Sequence, residues 1–316
     1  MEAADETKFA YTPVVGEFTD DQNLWEKGRD QQQLSDRRDG SVYRMHPRVR
    51  LAVDVALAAG RPLLLRGEPG SGKSSLAPYL ARNLGARYFE EVVAASTRVE
   101  DFLWQFDTVR KLSDAQARQP GDEPLDDANY VTPGILWRAF DPDGEFGSKD
   151  KPDAVVLIDE IDKADPDVPN GLLVPLGAGQ FRVPARDDPI VIPDGRRVVV
   201  VITTNEERQL PPAFLRRCVV AYMPEPTEES LTAIARLHVG GPGGGDESEH
   251  DELFGVLAGR LLELRGQMTK RDRPPSVAEY LDAVRACMEL DVDPSIPSSA
   301  WKAIEEFTLR KPTDVT

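Results

Sequence analysis

The segment Gly67-Glu68-Pro69-Gly70-Ser71-Gly72-Lys73-Ser74 matches the pattern G-x-x-x-x-G-K-[ST]. A short apolar run, Pro62 to Arg66, precedes it and predicts a buried parallel strand, and a helical pattern near Ser74 to Leu84 follows it. Glycines let the backbone bend so that its N–H groups point at phosphate oxygens, and the helix N-terminus adds a positive end. In such a loop Lys73 reaches the β- and γ-phosphates, and the hydroxyl of Ser74 ligates Mg²⁺. The segment therefore predicts a site for a nucleoside triphosphate.

Two carboxylates stand at the end of another apolar run. Ala154-Val155-Val156-Leu157-Ile158 leads directly into Asp159-Glu160. A buried strand that ends this way places both carboxylates at the carboxyl edge of its sheet, where α/β proteins bind ligands. We expect Asp159 to hold Mg²⁺ through its water shell and Glu160 to polarise a water that attacks the γ-phosphate. A glutamate at this position favours hydrolysis over binding alone.

Strand-like runs alternate with helical or irregular segments up to about residue 223. After the run that precedes the glycine-rich segment, they are Arg87 to Val93, Ala154 to Ile158, Arg197 to Thr203 and Val219 to Met223. This alternation is typical of βαβ units. It predicts an α/β fold of the P-loop NTPase type, in which a parallel five-stranded sheet has flanking helices and is followed by a small all-helical domain.

The same patterns divide the chain into three parts. Residues 1–40 are polar without a sustained period, and we expect a partly ordered N-terminal extension there. Residues 41–225 form the predicted α/β domain and residues 226–316 the predicted helical domain. Ser276 and Glu279 form a capping box at the start of one of its helices. Helices are expected over Thr227 to Val239 and near residues 250–266, 276–290 and 298–309.

Composition limits the class of protein. Hydrophobic residues make up 40% and charged residues 29% of the 316, and no stretch approaches the ~18 consecutive apolar residues of a membrane span. The acidic N-terminus lacks the pattern of a signal peptide, and two cysteines and three histidines offer neither a disulfide framework nor a metal cluster. We predict a cytoplasmic protein that does not enter membranes. The net charge of −17 argues against a nucleic-acid partner, because phosphates would be repelled.

Three segments carry a family resemblance. They are residues 67–75, the run Leu157-Ile158-Asp159-Glu160-Ile161-Asp162-Lys163-Ala164, and Ile202-Thr203-Thr204-Asn205 followed by Leu210-Pro211-Pro212-Ala213-Phe214-Leu215-Arg216-Arg217-Cys218. Together they resemble the MoxR family of AAA+ ATPases, over roughly residues 42–290. The resemblance implies ATP and Mg²⁺ as ligands and the helical domain as a lid. The implied nucleotide-binding residues are Gly67, Glu68, Pro69, Gly70, Ser71, Gly72, Lys73, Ser74 and Ser75.

The resemblance implies roles that spacing alone does not explain. Asn205 falls where the family has sensor 1, a polar residue that helps to orient the attacking water. An arginine finger reaches the nucleotide of the neighbouring subunit; Arg217 is the first candidate and Arg216 the second, and an exposed arginine pair at a helix end is the alternative. Tyr43 to Pro47 is the implied adenine-contact region. The resemblance further implies a homo-oligomeric ring, with a hexamer as the expected form, and a protein client or partner, with a von Willebrand factor A domain as one candidate.

Two insertions of the family have counterparts here. An insert in the second helix fits about residues 104–140, and a hairpin before sensor 1 fits about residues 180–193. Such loops usually face the ring axis or a partner. The aromatic residues Trp104, Phe106 and Trp137 of the insert either engage a partner or belong to the core.

The lid departs from the pattern of many AAA+ proteins. These carry an arginine, sensor 2, near the start of the third lid helix, and Ala278 stands at that position here. Arg273 is the candidate substitute from just upstream. Contact between a lid arginine and the γ-phosphate is therefore in question.

Three functions compete at this point. The leading hypothesis is Mg²⁺-dependent ATP hydrolysis by an oligomeric MoxR-like protein remodeller or chaperone, with Glu160 and Arg217 acting across a subunit interface. The second is a nucleotide-gated assembly scaffold with little turnover, which the missing sensor 2 arginine favours and Glu160 and Asn205 oppose. The third is a nucleic-acid-handling AAA+ protein, which the net charge of −17 disfavours.

Overall fold

The computed structural model describes residues 40–119, 123–141, 143–144, 147–148, 150–184, 186–240, 249–267 and 273–310. The predicted N-terminal extension, residues 1–40, lies outside these residues apart from Gly40. The strands are β1 (Leu63–Arg66), β2 (Arg87–Val92), β3 (Trp104–Phe106), β4 (Val131–Pro133), β5 (Ala154–Asp159), β6 (Gln180–Phe181), β7 (Ile190–Val191), β8 (Val198–Thr204) and β9 (Val219–Tyr222). The α-helices are α1 (Pro47–Ala59), α2 (Leu76–Asn83), α3 (Val99–Leu103), α4 (Thr108–Ala117), α5 (Ile135–Phe140), α6 (Asp167–Gly171), α7 (Leu173–Ala178), α8 (Pro212–Leu215), α9 (Glu228–Gly240), α10 (Asp251–Gln267), α11 (Val277–Glu289) and α12 (Ser299–Thr308).

Five strands form one parallel sheet in the order β2-β5-β8-β1-β9. These are the five predicted strands, and the predicted parallel sheet is confirmed. Ile202 of β8 is paired with Leu64 of β1 on one side and with Ile158 of β5 on the other. We call residues 67–74, which follow β1, the phosphate loop. The end of β8 therefore lies between the phosphate loop and the carboxylates at the end of β5.

Strand β5 is buried along its whole length, because helices cover both faces of the sheet. Side chains of a strand alternate between the two faces, so neighbours in sequence enter different clusters. Val156 and Ile158 pack into one apolar cluster with the helix α5, whereas Val155 and Leu157 pack into a second cluster with α1 and α2. An apolar run without polar alternation is thus explained by burial on both sides.

Two short antiparallel pairs accompany the main sheet. Strand β3 pairs with β4, and helix α4 lies between these two strands in the chain. Strand β6 pairs with β7. Among the three aromatic residues considered for partner contact, Trp137 is only 7% exposed and packs in the core, which favours the core interpretation for this residue. Trp104 and Phe106 are half-buried. The ring of Phe106 lies 6.4 Å from that of Tyr130, centroid to centroid.

The described residues between Glu228 and Thr308 include the four helices α9 to α12, which form an apolar cluster of their own. We call this part of the chain the C-terminal helical region. The predicted capping box is present at the start of α11, where the N–H of Glu279 donates to Ser276 Oγ (3.4 Å) and the N–H of Ser276 donates to Glu279 Oε2 (2.8 Å). The domain boundaries at residues 40/41 and 225/226 stay predictions. Among the described residues, no helix combines the length and apolar character needed to cross a bilayer.

Candidate functional site

The phosphate loop connects β1 to α2 through three glycines with positive φ. The φ angles are 152° at Gly67, 72° at Gly70 and 85° at Gly72. Residues with a Cβ rarely adopt such angles, so these glycines let the loop turn back on itself. Within the loop the hydroxyl of Ser71 donates to the carbonyl of Glu68 (2.8 Å). Ser75 occupies the N-cap position of α2, without a capping hydrogen bond from its side chain.

Lys73 is buried against its own loop, with 5% of its surface exposed. Its Nζ donates to the carbonyl of Gly67 (2.9 Å) and to the carbonyl of Glu68 (2.7 Å). Burial lowers the pKa of Lys73 below its usual range, although the nearby Asp159 and other carboxylates act to raise it. The loop therefore holds an ammonium group in a position where it can bind an anion.

One carboxylate oxygen joins the phosphate loop to the sheet. Asp159 Oδ1 accepts a hydrogen bond from Ser74 Oγ (2.6 Å) and another from Thr203 Oγ1 (2.5 Å), and the Asp159 side chain is 3% exposed. A hydroxyl oxygen and a carboxylate oxygen at this distance fit Mg²⁺, which prefers oxygen ligands and is usually bound by one or two protein groups plus phosphates and water. Among the described residues, no group of three or more His, Cys, Asp and Glu could hold a metal. These two oxygens therefore fit a Mg²⁺ ion whose remaining ligands are phosphate oxygens and water.

Glu160 adopts a left-handed backbone conformation, with φ 60° and ψ 47°. Its N–H donates to Thr203 Oγ1 (2.9 Å), and its Oε1 accepts from Asn205 Nδ2 (3.0 Å). Its Oε2 forms an ion pair with Lys163 Nζ. A non-glycine residue at positive φ is uncommon and often marks a functional position. Both carboxylate oxygens of Glu160 are therefore held in place by polar side chains.

A buried aspartate supports the loop that carries Asn205. Asp162 is 3% exposed, and its Oδ2 accepts from the N–H of Glu207 (2.9 Å). Asp162, Lys163 and Thr203 were part of the segments that carry the family resemblance, but no role follows from their place in the sequence. Only their hydrogen bonds reveal that they shape the site.

The structure brings together Ser74, Asp159, Glu160 and Asn205 in one hydrogen-bonded network, with Lys73 beside it. It does not bring the arginine-finger candidates there. Arg216 and Arg217 follow α8 and are both exposed. The backbone carbonyl of Arg216 accepts from Arg61 Nη1 (3.3 Å). Within one subunit, neither arginine takes part in the network.

The implied adenine-contact region begins beside the phosphate loop. The ring of Tyr43 would lie 3.7 Å from a Cβ placed on Gly72, and it packs 5.3 Å from the ring of Tyr79, centroid to centroid. Burial raises the pKa of Tyr43 above its usual range, so this phenol stays neutral. Tyr43 is thus placed near the loop, and its role stays a prediction.

The C-terminal helical region contacts the phosphate loop. The N–H of Ala278 donates to the carbonyl of Gly70 (3.3 Å), so the residue at the sensor 2 position touches the loop through its backbone. Arg273, the candidate substitute, is 61% exposed and pairs with Glu279 Oε1 at 3.7 Å. A different arginine, Arg265, pairs with Glu68 Oε2 at 2.8 Å. Sequence analysis did not single out Arg265, because no motif surrounds it.

A parallel sheet of this strand order, with a glycine-rich loop after β1 and two carboxylates after β5, defines a P-loop nucleotide-binding fold. Residues 62–218 match the family model described as AAA domain (dynein-related subfamily). The fold is accordingly that of AAA+ proteins, and the match supports an AAA+ ATPase. The resemblance to MoxR proteins in particular stays a proposal.

Comparison with other proteins adds two facts. No curated protein matches the chain. Solved structures that match include two point mutants of RuvB from Thermotoga maritima. One is 16% identical with a TM-score of 0.46, over 82% of this chain and 68% of that chain; the other is 17% identical with a TM-score of 0.45, over 82% and 67%.

Proposed function

We propose that the protein binds ATP with Mg²⁺ at the carboxyl edge of the sheet and hydrolyses it to ADP and phosphate. The observation that carries the proposal is the single network in which Thr203 joins Asp159 to the backbone of Glu160. It links the end of β5, the end of β8 and, through Ser74, the phosphate loop. Such an arrangement holds a metal ligand and a general base in fixed positions relative to a bound triphosphate.

Each side chain has one task in this proposal. Lys73 exchanges its bonds to the carbonyls of Gly67 and Glu68 for bonds to the β- and γ-phosphates. Ser74 and Asp159 would hold Mg²⁺, which would neutralise charge on the phosphates. Glu160, oriented by Asn205, accepts a proton from a water whose oxygen attacks the γ-phosphorus. The bond between the γ-phosphorus and the bridging oxygen breaks, and ADP leaves with the electron pair.

The two exposed arginines support a shared active site. A positive charge near the γ-phosphate stabilises charge that develops there, and Arg216 and Arg217 lie outside the network of their own subunit. We propose that Arg217, or Arg216 as second candidate, acts on the nucleotide of a neighbouring subunit. This requires a homo-oligomer, and the MoxR resemblance implies a ring, with a hexamer as the expected form.

We further propose that turnover remodels a protein client, as the MoxR resemblance implies. The insert supports this because α4 has no buried residue, and Val109 and Leu112 on it are 81% and 59% exposed. Val109 and Leu112 stand three residues apart on one helix, so together they offer an apolar contact to another protein. The net charge of −17 favours a protein partner over nucleic acid. A von Willebrand factor A domain is one candidate partner, and a cytoplasmic location is part of the proposal.

The second candidate function is a nucleotide-gated scaffold that assembles with ATP but hardly hydrolyses it. Two observations favour it. Ala278 stands at the sensor 2 position, and Lys163 occupies Glu160 Oε2, one of the oxygens that would accept the proton.

ATPase assays separate the two functions. We expect wild-type protein to hydrolyse ATP in magnesium buffer, Glu160→Gln to bind ATP without turnover, and Lys73→Ala to lose binding. A wild-type rate no higher than that of Glu160→Gln would leave only the scaffold. Equal ATP affinity of wild type and Lys73→Ala would refute the site itself.

The ring is tested by size analysis and by mixing. We expect a non-hydrolysable ATP analogue to promote assembly. Inactive Arg217→Ala protein mixed with inactive Glu160→Gln protein should regain activity, because some interfaces then combine an intact Glu160 with an intact Arg217. Mixed oligomers that form but stay inactive would contradict action across the interface.

A further inference from the structure

Arg265 connects the C-terminal helical region to the phosphate loop. It lies in the last turn of α10, and its side chain is 15% exposed. Its Nη1 donates to the carbonyl of Pro275 (2.9 Å) and its Nη2 donates to Glu68 Oε2 (2.8 Å). Because the guanidinium is a rigid plane with several donors, these two bonds fix Glu68 relative to the segment that begins α11.

The same place has two further contacts. The N–H of Ala278 donates to the carbonyl of Gly70 (3.3 Å). A Cβ on Gly70 would lie 2.4 Å from Ser276 Oγ, so the loop and the start of α11 approach as closely as glycine permits. The ion pair of Arg265 and Glu68 therefore stands in a packed contact and not at an isolated surface point.

Glu68, together with Gly67, in turn holds the ammonium group of Lys73. The backbone carbonyl of Glu68 accepts hydrogen bonds from Lys73 Nζ (2.7 Å) and from Ser71 Oγ (2.8 Å). Glu68 therefore contacts Arg265 through its side chain and Lys73 through its backbone carbonyl. The loop and Arg265 are thus parts of one connected structure.

Other arginines of the C-terminal helical region have different partners. Arg260 pairs with Glu263 and Glu305, and Arg285 pairs with Asp282, all within that region. Arg273 is mostly exposed. Among the described residues of this region, Arg265 is the arginine that reaches the phosphate loop.

We propose that Arg265 is a positioning residue that sets the nucleotide affinity of the phosphate loop through Glu68. It couples the C-terminal helical region to the nucleotide without touching a phosphate itself. The inference rests on the proposed binding of ATP at this loop. It assigns to the Arg265–Glu68 pair the link that a sensor 2 arginine would otherwise supply.

The test is a titration with a fluorescent ATP analogue in magnesium buffer. We expect Arg265→Ala to weaken affinity by about threefold to tenfold, as a close but partly exposed charge pair allows. The loss should shrink in high salt, because Glu68 is 53% exposed and the pair is screened. Arg285→Ala is the matched control, and we expect it to bind like wild type.

Charge exchange separates positioning from mere structural support. Glu68→Arg combined with Arg265→Glu should bind more tightly than either single variant, because the pair is restored with reversed sign. Support of Pro275 alone would give no such rescue. Glu68→Gln should reproduce the loss without a change in thermal stability, which covers the case that Arg265→Ala folds poorly. Wild-type affinity in Glu68→Gln, or a double variant no better than the singles, would overturn the proposal.

Amide hydrogen exchange without nucleotide keeps this inference distinct from the proposed function. We expect faster exchange of residues 67–75 in Arg265→Ala than in wild type or Arg285→Ala. Wild-type protein that fails to bind ATP would refute the proposed function while the exchange result still reports the coupling. Unchanged exchange in Arg265→Ala would refute the coupling even if ATP binds.

Discussion

Replacing Thr203 by valine tests whether the site is held together by one hydroxyl. Thr203 is fully buried at the end of β8. Its Oγ1 donates to Asp159 Oδ1 (2.5 Å) and accepts from the N–H of Glu160 (2.9 Å). Valine has nearly the same shape, so Thr203→Val removes these two bonds and leaves the packing almost intact.

The expected loss follows from what the two partners retain. The N–H of Glu160, whose bond to Thr203 is partly buried, loses its acceptor, which costs about 1–3 kcal/mol. Asp159 loses a charge-assisted bond, typically about 1.5–3 kcal/mol, but keeps the bond from Ser74 and gains an apolar neighbour. We therefore expect the free energy of unfolding to fall by about 3 kcal/mol.

Urea unfolding measures this loss against two controls. Thr203→Ser keeps the hydroxyl and removes one methyl group, so we expect about 1 kcal/mol. Thr204→Val removes one neutral bond, from the N–H of the exposed Glu206 (3.0 Å), and we again expect about 1 kcal/mol or less. If Thr203→Val costs no more than Thr204→Val, the hydroxyl does not hold the site together and the reasoning fails.

Three further predictions concern the loop, the general base and the thiol of Cys218. Gly70→Ala should weaken ATP binding at least about tenfold, because a left-handed φ costs about 1–2 kcal/mol and the new Cβ clashes with Ser276, the N-cap of α11. Gly60→Ala has the same φ cost, at φ 60°, but its Cβ meets open space, so equal ATP affinity in the two variants would contradict the clash. Lys163→Met removes a half-exposed ion pair with Glu160 that is worth about 1 kcal/mol or less. We therefore expect kcat in steady-state assays to rise by no more than about fivefold. A fall in kcat would instead make the lysine a positioning group. Burial raises the pKa of Cys218 to about 12 from 9.0, so the native protein should resist thiol reagents at pH 8 and react only in denaturant. Because the unfolded thiol ionises first, the free energy of unfolding should fall as pH rises above 9, and less in Cys218→Ala; a pH-independent value would refute this.

Sequence patterns predicted the central sheet well, because β1, β5 and β8 are local apolar runs that are buried on both faces. The ends of all five strands lie within one residue of the predicted ends. The phosphate loop was equally accessible, since its chemistry depends on consecutive residues in one turn. Trp137 shows where such reasoning stops: an aromatic residue in an insert has the same sequence whether it packs inward or faces a partner, and burial of 93% of its surface placed it in the core.

The sequence by itself determined the glycine-rich loop between Gly67 and Ser74 and the carboxylates after β5, because both follow from residue types at fixed spacing along a strand. Only the tertiary structure decided that Thr203 joins those carboxylates and that Arg265 holds Glu68, which is 197 residues away in the chain. A hydrogen bond forms only when its two heavy atoms lie about 2.7–3.2 Å apart, a tolerance of a few tenths of an ångström. Those distances are set by how strands and helices pack, and no local pattern records them.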